Sequence, residues 1–198
     1  MHASHELPPR RTSPSGAPAG LSFLGPENRG RVLQEPGSKR AIAFFDGQNL
    51  FHGARQAFGY SYPNYDPAKL ALAVCTLRGW KLQQSRFYTG LPSRILSPKW
   101  YWFWRRKLRA AARAGVHVYS RPLRYRKEVA TNGVVVQVAE EKGIDVRIAI
   151  DVLSCAIRGQ CDGALVFSQD QDLSEVADEI RVVARERGCW LKIASAFL

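Results

Sequence analysis

The 198-residue sequence lacks several patterns that would assign it to a familiar class. None of its four cysteines forms a C-x-x-C pair or lies at zinc-ligand spacing from its four histidines, so no zinc site is predicted. Buried, reduced thiols in a cytoplasmic protein are the expectation. No apolar run approaches the length of a membrane span, and the first 38 residues contain no apolar segment typical of a secretory signal.

Acidic residues are absent from one long stretch of the chain. From Arg78 to Lys127 there are fourteen Lys and Arg and no Asp or Glu, whereas Glu128 to Glu186 holds twelve acids and five bases. The formal net charge is +12. A basic half of this kind favours an anionic partner. A glycine-rich phosphate loop is also missing, which argues against an enzyme acting on small nucleotides.

The composition divides the chain into two parts. Residues 1–38 are rich in Pro, Gly, Ser and Arg and have little apolar material, so they are predicted to form a disordered tail. Residues 39–198 have the composition of one globular domain.

Apolar runs alternate with helical patterns along this domain. Strands are predicted at 41–45, 81–90, 116–123, 163–168 and 190–195, and helices at 49–58, 66–79, 97–115, 144–159 and 172–188. A loop or a hairpin is predicted around Asn132 and Gly133. This order predicts an α/β fold of three layers, with a central, mainly parallel sheet and helices on both faces.

Carboxylates lie in three short stretches that follow or precede predicted elements. The stretches are "FFDGQN", with Asp46, "EEKGIDVRIAID" and "SQDQD". Because ligands bind beyond the carboxyl ends of parallel strands, aspartates at different strand ends are expected to meet there. Close carboxylates repel one another, and Mg²⁺ or Mn²⁺ is the usual partner of such hard oxygen ligands.

Structural roles compete with this interpretation for some aspartates. Asp170 or Asp172 would also serve as a cap for the next helix, and Asp145 for the helix at 144–159. Asp46 is the hardest to explain structurally, because no helix is predicted to begin immediately after it.

Structural roles also compete for the remaining acids of the middle stretch. Asp151 lies about 240° around the helix from Asp145, which favours a structural role. Glu140 and Glu141 are expected to form a solvated or paired rim.

The segment "SPKWYWFWRRKLRAAARAG" combines five consecutive aromatic residues with a series of arginines. Its aromatic side chains either pack in the core or stack on bases, while its cations either face solvent or follow phosphates. The absence of acids across this region favours an RNA-binding surface. The predicted RNA-binding residues are Arg105, Arg106, Lys107, Arg109, Arg121, Arg124, Arg126, Trp100 and Trp104.

Three motifs, "FFDGQNLF", "EEKGIDVRIAIDVLSCA" and "LVFSQDQDLSEV", resemble those of the NYN domain family in its LabA-like (DUF88) branch. The resemblance extends roughly from Arg40 to Phe197. It implies a PIN-like fold and a metal-dependent ribonuclease with an acidic cluster around Mg²⁺ or Mn²⁺. RNA is the implied partner, and a homodimer is implied by analogy.

The resemblance also implies roles for individual residues. Asp46, Asp145, Asp170 and Asp172 correspond to the catalytic, metal-binding cluster. The supporting residues are Asn49, Ser168, Asp151 and Lys142, and Gly143 shapes the approach to the cluster. A water activated at the metal would attack the phosphodiester in line.

The chain departs from the family in two respects. Many relatives have Gly at the position of Gln169, and a backbone with positive φ there would strain glutamine. Relatives usually continue beyond "KIASAFL", so the domain is expected to be either truncated at its C-terminus or a short variant. The leading hypothesis is an endoribonuclease. The alternative is a weak or inactive RNA-binding module of the same fold.

Overall fold

A five-stranded parallel sheet forms the centre of the structure, a computed structural model that describes residues 33–131 and 133–196. Its strands are β1 (Lys39–Asp46), β2 (Trp80–Leu91), β3 (His117–Pro122), β6 (Gly163–Phe167) and β7 (Lys192–Ser195). Two further strands, β4 (Arg124–Val129) and β5 (Val135–Glu140), lie between β3 and β6 along the chain and form a hairpin. The spatial order is β3-β2-β1-β6-β7.

Helices cover both faces of this sheet. One face packs against α1 (Gly47–Phe58), α2 (Pro67–Leu77) and α3 (Pro98–Arg113), and the other packs against α4 (Ile144–Ile157) and α5 (Ser174–Arg187). The predicted three-layer α/β fold with a parallel central sheet is therefore confirmed.

The central strand β1 is buried on both sides. Ile42 and Phe44 face α4 and α5, whereas Phe45 faces the other helical layer and stacks on Phe167 with ring centroids 4.1 Å apart. Full burial stabilises the fold by about 1.5–3 kcal/mol for each large apolar side chain. This burial explains why the strand appears in the sequence as a continuous apolar run.

Local signals in the sequence fix where the helices begin. The Asp66 carboxylate accepts hydrogen bonds from the backbone N–H groups of Ala68 and Lys69, and Pro67 opens α2. Pro98 likewise opens α3 after Ser97. The side-chain cap satisfies N–H groups that have no partner inside the helix.

The strand order creates a crevice at the carboxyl edge of the sheet. From β1 the chain moves to β2 on one side, while β6 lies on the other side of β1. Such a switch point is where α/β folds bind their ligands. Asp46 ends β1, and the stretch 168–172 follows β6 directly.

The hairpin formed by β4 and β5 is a separate two-stranded antiparallel sheet. It spans the predicted turn around Asn132 and Gly133, of which Asn132 lies outside the described residues. Its register places Arg124 opposite Glu140 and Val129 opposite Val135. The hairpin therefore begins just after β3 and ends just before α4.

The other expectations concern residues beyond the sheet. The predicted disordered tail lies outside the described residues up to position 32. Cys75, Cys155 and Cys161 are buried free thiols, as expected, and Cys189 is a half-buried one. Among the described residues, no helix combines the length and apolar composition needed to cross a bilayer.

Candidate active site

Asp46 is the N-cap of α1, which corrects the expectation that no helix begins directly after it. The helix starts at Gly47, and the Asp46 Oδ1 atom accepts a hydrogen bond of 2.9 Å from the backbone N–H of Asn49. The carboxyl is buried, with only 6% of the residue exposed. A capping role accounts for one of its oxygens and for its position at the end of a buried strand.

The loop after β6 is ordered by its own side chains. The buried Ser168 Oγ accepts a hydrogen bond from the Asp170 backbone N–H at 3.1 Å, and the Asp170 Oδ1 accepts one from the Asp172 N–H at 3.0 Å. The Ser195 hydroxyl on β7 donates to the Ser168 carbonyl oxygen at 3.0 Å. Asp170 thus caps a single 3-10 turn at Gln171–Leu173, which leads into α5.

Asp145 lies in the first turn of α4, one residue after the helix begins. The helix is capped by Gly143, whose φ of 71° lies in the left-handed region that favours glycine. The glycine of the second motif therefore has a backbone role, since it provides the left-handed cap of α4. Asp145 itself makes no side-chain cap of α4, so its carboxylate is free to face the crevice.

Asp145, Asp170 and Asp172 come together at the crevice. Each has a carboxylate oxygen that lies within 4.8 Å of those of the other two. Asp145 and Asp170 are half-buried and Asp172 is exposed. The donor set consists only of carboxylate oxygens, the ligand chemistry that suits Mg²⁺ or Mn²⁺.

Two further carboxyls lie next to this trio. Burial raises the pKa of Asp46 to about 6, and the charges of Asp170 and Asp145 contribute to the increase. Burial, followed by the charge of Asp46, raises the pKa of Glu141 to about 7. The five carboxyls thus form a region of mutual repulsion, which a divalent cation would relieve.

Glu141 is a residue whose position sequence reasoning missed. It was expected on a solvated or paired rim with Glu140, but it is half-buried and accepts a hydrogen bond from the backbone N–H of Gly90. Glu140 does pair, with its carboxylate 3.5 Å from the Lys142 ammonium. Glu140 ends β5 and Glu141 follows it, and the sequence does not indicate which of the two side chains faces the crevice.

Asn49 links the first and third motifs. Its Oδ1 atom accepts a hydrogen bond of 2.7 Å from the backbone N–H of Gln169. This contact fixes the loop that carries Asp170 relative to α1. Among the described residues no non-glycine has a positive φ, so Gln169 does not carry the strain considered for this position.

Asp151 is not part of the carboxylate cluster. Its carboxylate accepts a hydrogen bond from the Tyr88 hydroxyl at 2.8 Å and forms an ion pair with Arg147, with 3.0 Å between Nη2 and Oδ1. The residue is buried. The supporting role predicted for Asp151 is therefore corrected to a structural one, because both oxygens are already committed within the fold.

Several predicted RNA-binding cations lie on exposed surfaces. On α3, Arg106 and Arg109 face solvent, and on the hairpin Arg124 is exposed while Arg126 pairs with Glu128 at 2.7 Å. The Arg121 guanidinium lies beside Gly143 of the second motif, so close that a Cβ added at Gly143 would be 2.8 Å from the Arg121 Nη1 atom.

Other predicted RNA-binding residues are engaged within the fold. Trp104 is 3% exposed and packs on Phe87, so its predicted stacking on RNA is wrong. Lys107 donates a hydrogen bond of 2.6 Å to the Tyr65 carbonyl oxygen, and burial lowers its pKa. Arg105 is half-buried, and its Nε atom is buried without a hydrogen-bond partner among the described residues.

Trp102 is the exposed tryptophan of α3, with 47% of its surface accessible. It shares a helical face with Arg106 and Arg109, and the Arg94 guanidinium lies 5.5 Å from its ring centroid. Helical periodicity could have predicted which tryptophan is exposed. Trp104 and Leu108 are four residues apart and lie on the buried face, and Trp102 is not on that face.

Comparisons with known proteins identify a family for this chain. A family model described as the NYN domain matches residues 40–195. No curated protein matches the chain. Among solved structures, the crystal structure of Acinetobacter baumannii MurG is similar at 11% identity and a TM-score of 0.30, over 79% of this chain and 35% of that one.

The MurG likeness is too weak to carry an argument about function, and this chain spans only about a third of the length of that protein. The family match, in contrast, includes all three motifs, and it extends from the second residue of β1 to the end of β7, which is most of the chain. The chain therefore belongs to the NYN domain family, a family of PIN-like nucleases.

Proposed function

We propose that this protein is a metal-dependent endoribonuclease of the LabA-like branch, with a catalytic domain at residues 39–198. The observation that supports it best is the meeting of Asp145, Asp170 and Asp172 within 4.8 Å at the switch point of a parallel sheet. Three carboxylates from two separate chain segments converge there, and within the described residues no cation of the protein is among their hydrogen-bonded or ion-paired partners.

The carboxylates fit a hard divalent ion. Asp145, Asp170 and Asp172 would hold Mg²⁺ or Mn²⁺, with Asp46 and Glu141 beside them. When bound, such an ion activates water and stabilises the developing negative charge on phosphodiester oxygens. The products would be a phosphomonoester and an alcohol, because water adds to phosphorus and the leaving oxygen takes up a proton.

Other residues of the site position these groups. Asn49 uses its side-chain oxygen to hold the Gln169 backbone, which leaves its amide NH₂ as a donor for a phosphate oxygen. Ser168 holds the backbone of Asp170. Arg121, next to Gly143, would neutralise part of the phosphate charge near the carboxylates.

The substrate assignment to RNA rests on the family and on charge. Exposed arginines lie on α3 and on the hairpin, and the sequence segment that contains them has no acids from residue 78 to residue 127. A single strand can follow such cations through its phosphates.

A cleavage assay tests the proposal. Purified protein is incubated with end-labelled single-stranded and structured RNA, with Mg²⁺ or Mn²⁺ or with EDTA. We expect metal-dependent cleavage that falls at least about 100-fold in Asp170→Asn, since a lost metal ligand removes several kcal/mol of transition-state stabilisation. Asp178→Asn is the matched control, because Asp178 is exposed on α5 and contacts Arg181.

Equal cleavage by wild type and Asp170→Asn would reject the proposal and identify a contaminant. Salt-sensitive RNA binding without any metal-dependent turnover would instead support the alternative, an RNA-binding module of the same fold. The ordered loop around Gln169 favours the active enzyme, since the departure from glycine there introduces no backbone strain.

A further inference from the structure

An aromatic cavity of about 420 Å³ opens between α1, the start of α3 and the hairpin. Phe51 from α1, Trp100 from α3 and Tyr125 from β4 contribute their rings to its walls. The ring centroids of Phe51 and Trp100 are 6.4 Å apart. The volume is typical of small-ligand sites, and aromatic side chains of this kind are surfaces on which bases stack.

The cavity borders the candidate active site. Gln48, which lines it, follows Asp46 by two residues in the first turn of α1. Ala139, which also lines it, lies two residues before Glu141, which follows the end of β5. A ligand in the cavity would therefore lie next to the carboxylates.

The hairpin wall of the cavity is fixed to the central sheet at two points. The Tyr125 hydroxyl accepts a hydrogen bond of 2.8 Å from the backbone N–H of Ser93, and Glu141 accepts one from the backbone N–H of Gly90. Both donors lie in or just after β2. The cavity is thus formed before a ligand binds, which lowers the entropic cost of binding.

Cations neighbour the residues that line the cavity in the sequence. Arg124 and Arg126 flank Tyr125 on β4, and Lys99 precedes Trp100 on α3. This charge favours a ligand that combines a flat aromatic group with an anion, as a nucleotide does.

Polar side chains are also present among the aromatic ones. Gln48, Ser97 and Gln137 line the cavity, and within the part of the chain that the structure describes their side chains are not engaged in hydrogen bonds. Amides and hydroxyls both donate and accept, so they can bind the edge of a base.

We infer that this cavity binds one unstacked base of single-stranded RNA next to the phosphate to be cleaved, and so fixes the position of the cut. The inference rests on the proposed function for the identity of the ligand. It goes further in assigning a subsite, with Trp100 as the stacking residue and Tyr125 and Phe51 as its neighbours.

Abasic RNA tests this inference directly. Single-stranded RNAs of about eight nucleotides, each with one abasic residue at a successive position, are titrated in EDTA by fluorescence anisotropy. We expect one position at which removal of the base weakens binding by about 5- to 100-fold in the wild type, the value of one stacked base. In Trp100→Ala this difference between intact and abasic RNA disappears.

Trp102→Ala is the matched control, because Trp102 is on the same helix but is exposed and does not line the cavity. It should retain the abasic difference. Since Trp100 also contacts Tyr62 at 5.3 Å between ring centroids, Trp100→Ala is checked for folding by circular dichroism. Gln137→Trp provides a second variant, which fills the cavity from an exposed strand position and should also abolish the difference.

Equal affinity of the wild type for intact and abasic RNA at every position would overturn the inference. It would also be overturned if Trp102→Ala lost the abasic difference while Trp100→Ala and Gln137→Trp kept it. The readout needs no metal, so it is separable from catalysis. An abasic difference without cleavage would reject the nuclease proposal alone, whereas metal-dependent cleavage without that difference would reject the subsite alone.

Discussion

Arg40 and Asp162 join the first and sixth strands at the edge of the sheet opposite the carboxylates. The Asp162 carboxylate accepts hydrogen bonds from the Arg40 backbone N–H at 2.8 Å, from Nε at 3.1 Å and from Nη2 at 2.8 Å. These bonds lower the pKa of Asp162 below its ordinary value. The folded state therefore favours the ionised carboxylate.

This pair predicts a pH-dependent contribution to stability. Because the pKa is lowered on folding, the contribution is fully present above the ordinary pKa of about 4 and is lost as the pH falls through the folded value. At pH 7, Asp162→Asn should lower the free energy of unfolding by about 1–2 kcal/mol, a figure reduced because Arg40 is 48% exposed. Urea titrations at several pH values measure it, and an equal deficit in strong acid would contradict it.

Asn49→Ala should loosen the loop that carries Asp170. It leaves the Gln169 backbone N–H without its acceptor, which costs about 1–3 kcal/mol if water does not replace it. We expect a lower free energy of unfolding together with weaker Mn²⁺ binding, measured by denaturation and calorimetry. Asn64→Ala, an exposed change in the α1–α2 connection, should affect neither.

Asp151→Ala separates structure from catalysis. It removes the partner of Arg147 and of the Tyr88 hydroxyl, so we expect a loss of about 2–3 kcal/mol in the free energy of unfolding. Cleavage per folded molecule should stay within about threefold of wild type. Asp145→Asn should instead reduce cleavage, because it removes a metal ligand, and raise the free energy of unfolding, because it removes repulsion among carboxylates. Loss of cleavage in a fully stable Asp151→Ala protein would contradict this assignment.

Gly47→Ala should destabilise the first turn of α1. An added Cβ would lie 2.6 Å from the Phe87 ring and 3.0 Å from the Tyr88 carbonyl oxygen. Overpacking of this kind costs about 1–3 kcal/mol, measurable by thermal or chemical unfolding. Gly37→Ala is the control, since no described atom lies within 4 Å of an added Cβ there, and it should be close to neutral.

The basic face of α3 predicts a salt effect on RNA binding. In the absence of metal, the double variant Arg106→Ala/Arg109→Ala should reduce the slope of log affinity against log salt by about 1.4, at about 0.7 for each phosphate contact. Arg158→Ala/Arg181→Ala removes the same charge from exposed positions at the end of α4 and on α5 and should change the slope little. Equal changes in both double variants would indicate a diffuse charge effect.

The order of strands and helices was predictable because each element carries a local signal. The run ending at Phe45 is apolar on both faces, and Pro67 and Pro98 mark the first turns of α2 and α3. The start of α1 was missed, because Gly47 is a weak helix former by propensity. Only the tertiary contact with Phe87 explains why glycine is needed there.

The sequence predicts the part of the candidate site that depends only on where the strands end. Asp145, Asp170 and Asp172 meet because their segments reach the same edge of the sheet. The distinction between Glu140 and Glu141 depends on which side of a strand faces the crevice, and a local pattern does not contain that information. The metal-binding and RNA-binding roles of individual residues remain predictions.

The two hairpin strands pair only with each other. Tyr125 and, just after the hairpin, Glu141 accept hydrogen bonds from backbone N–H groups in and just after β2. The hairpin turn can therefore lengthen, shorten or change composition without shifting the register of any strand in the central sheet. Evolution or protein engineering can thus exchange the tip of this hairpin while the aspartates keep their places.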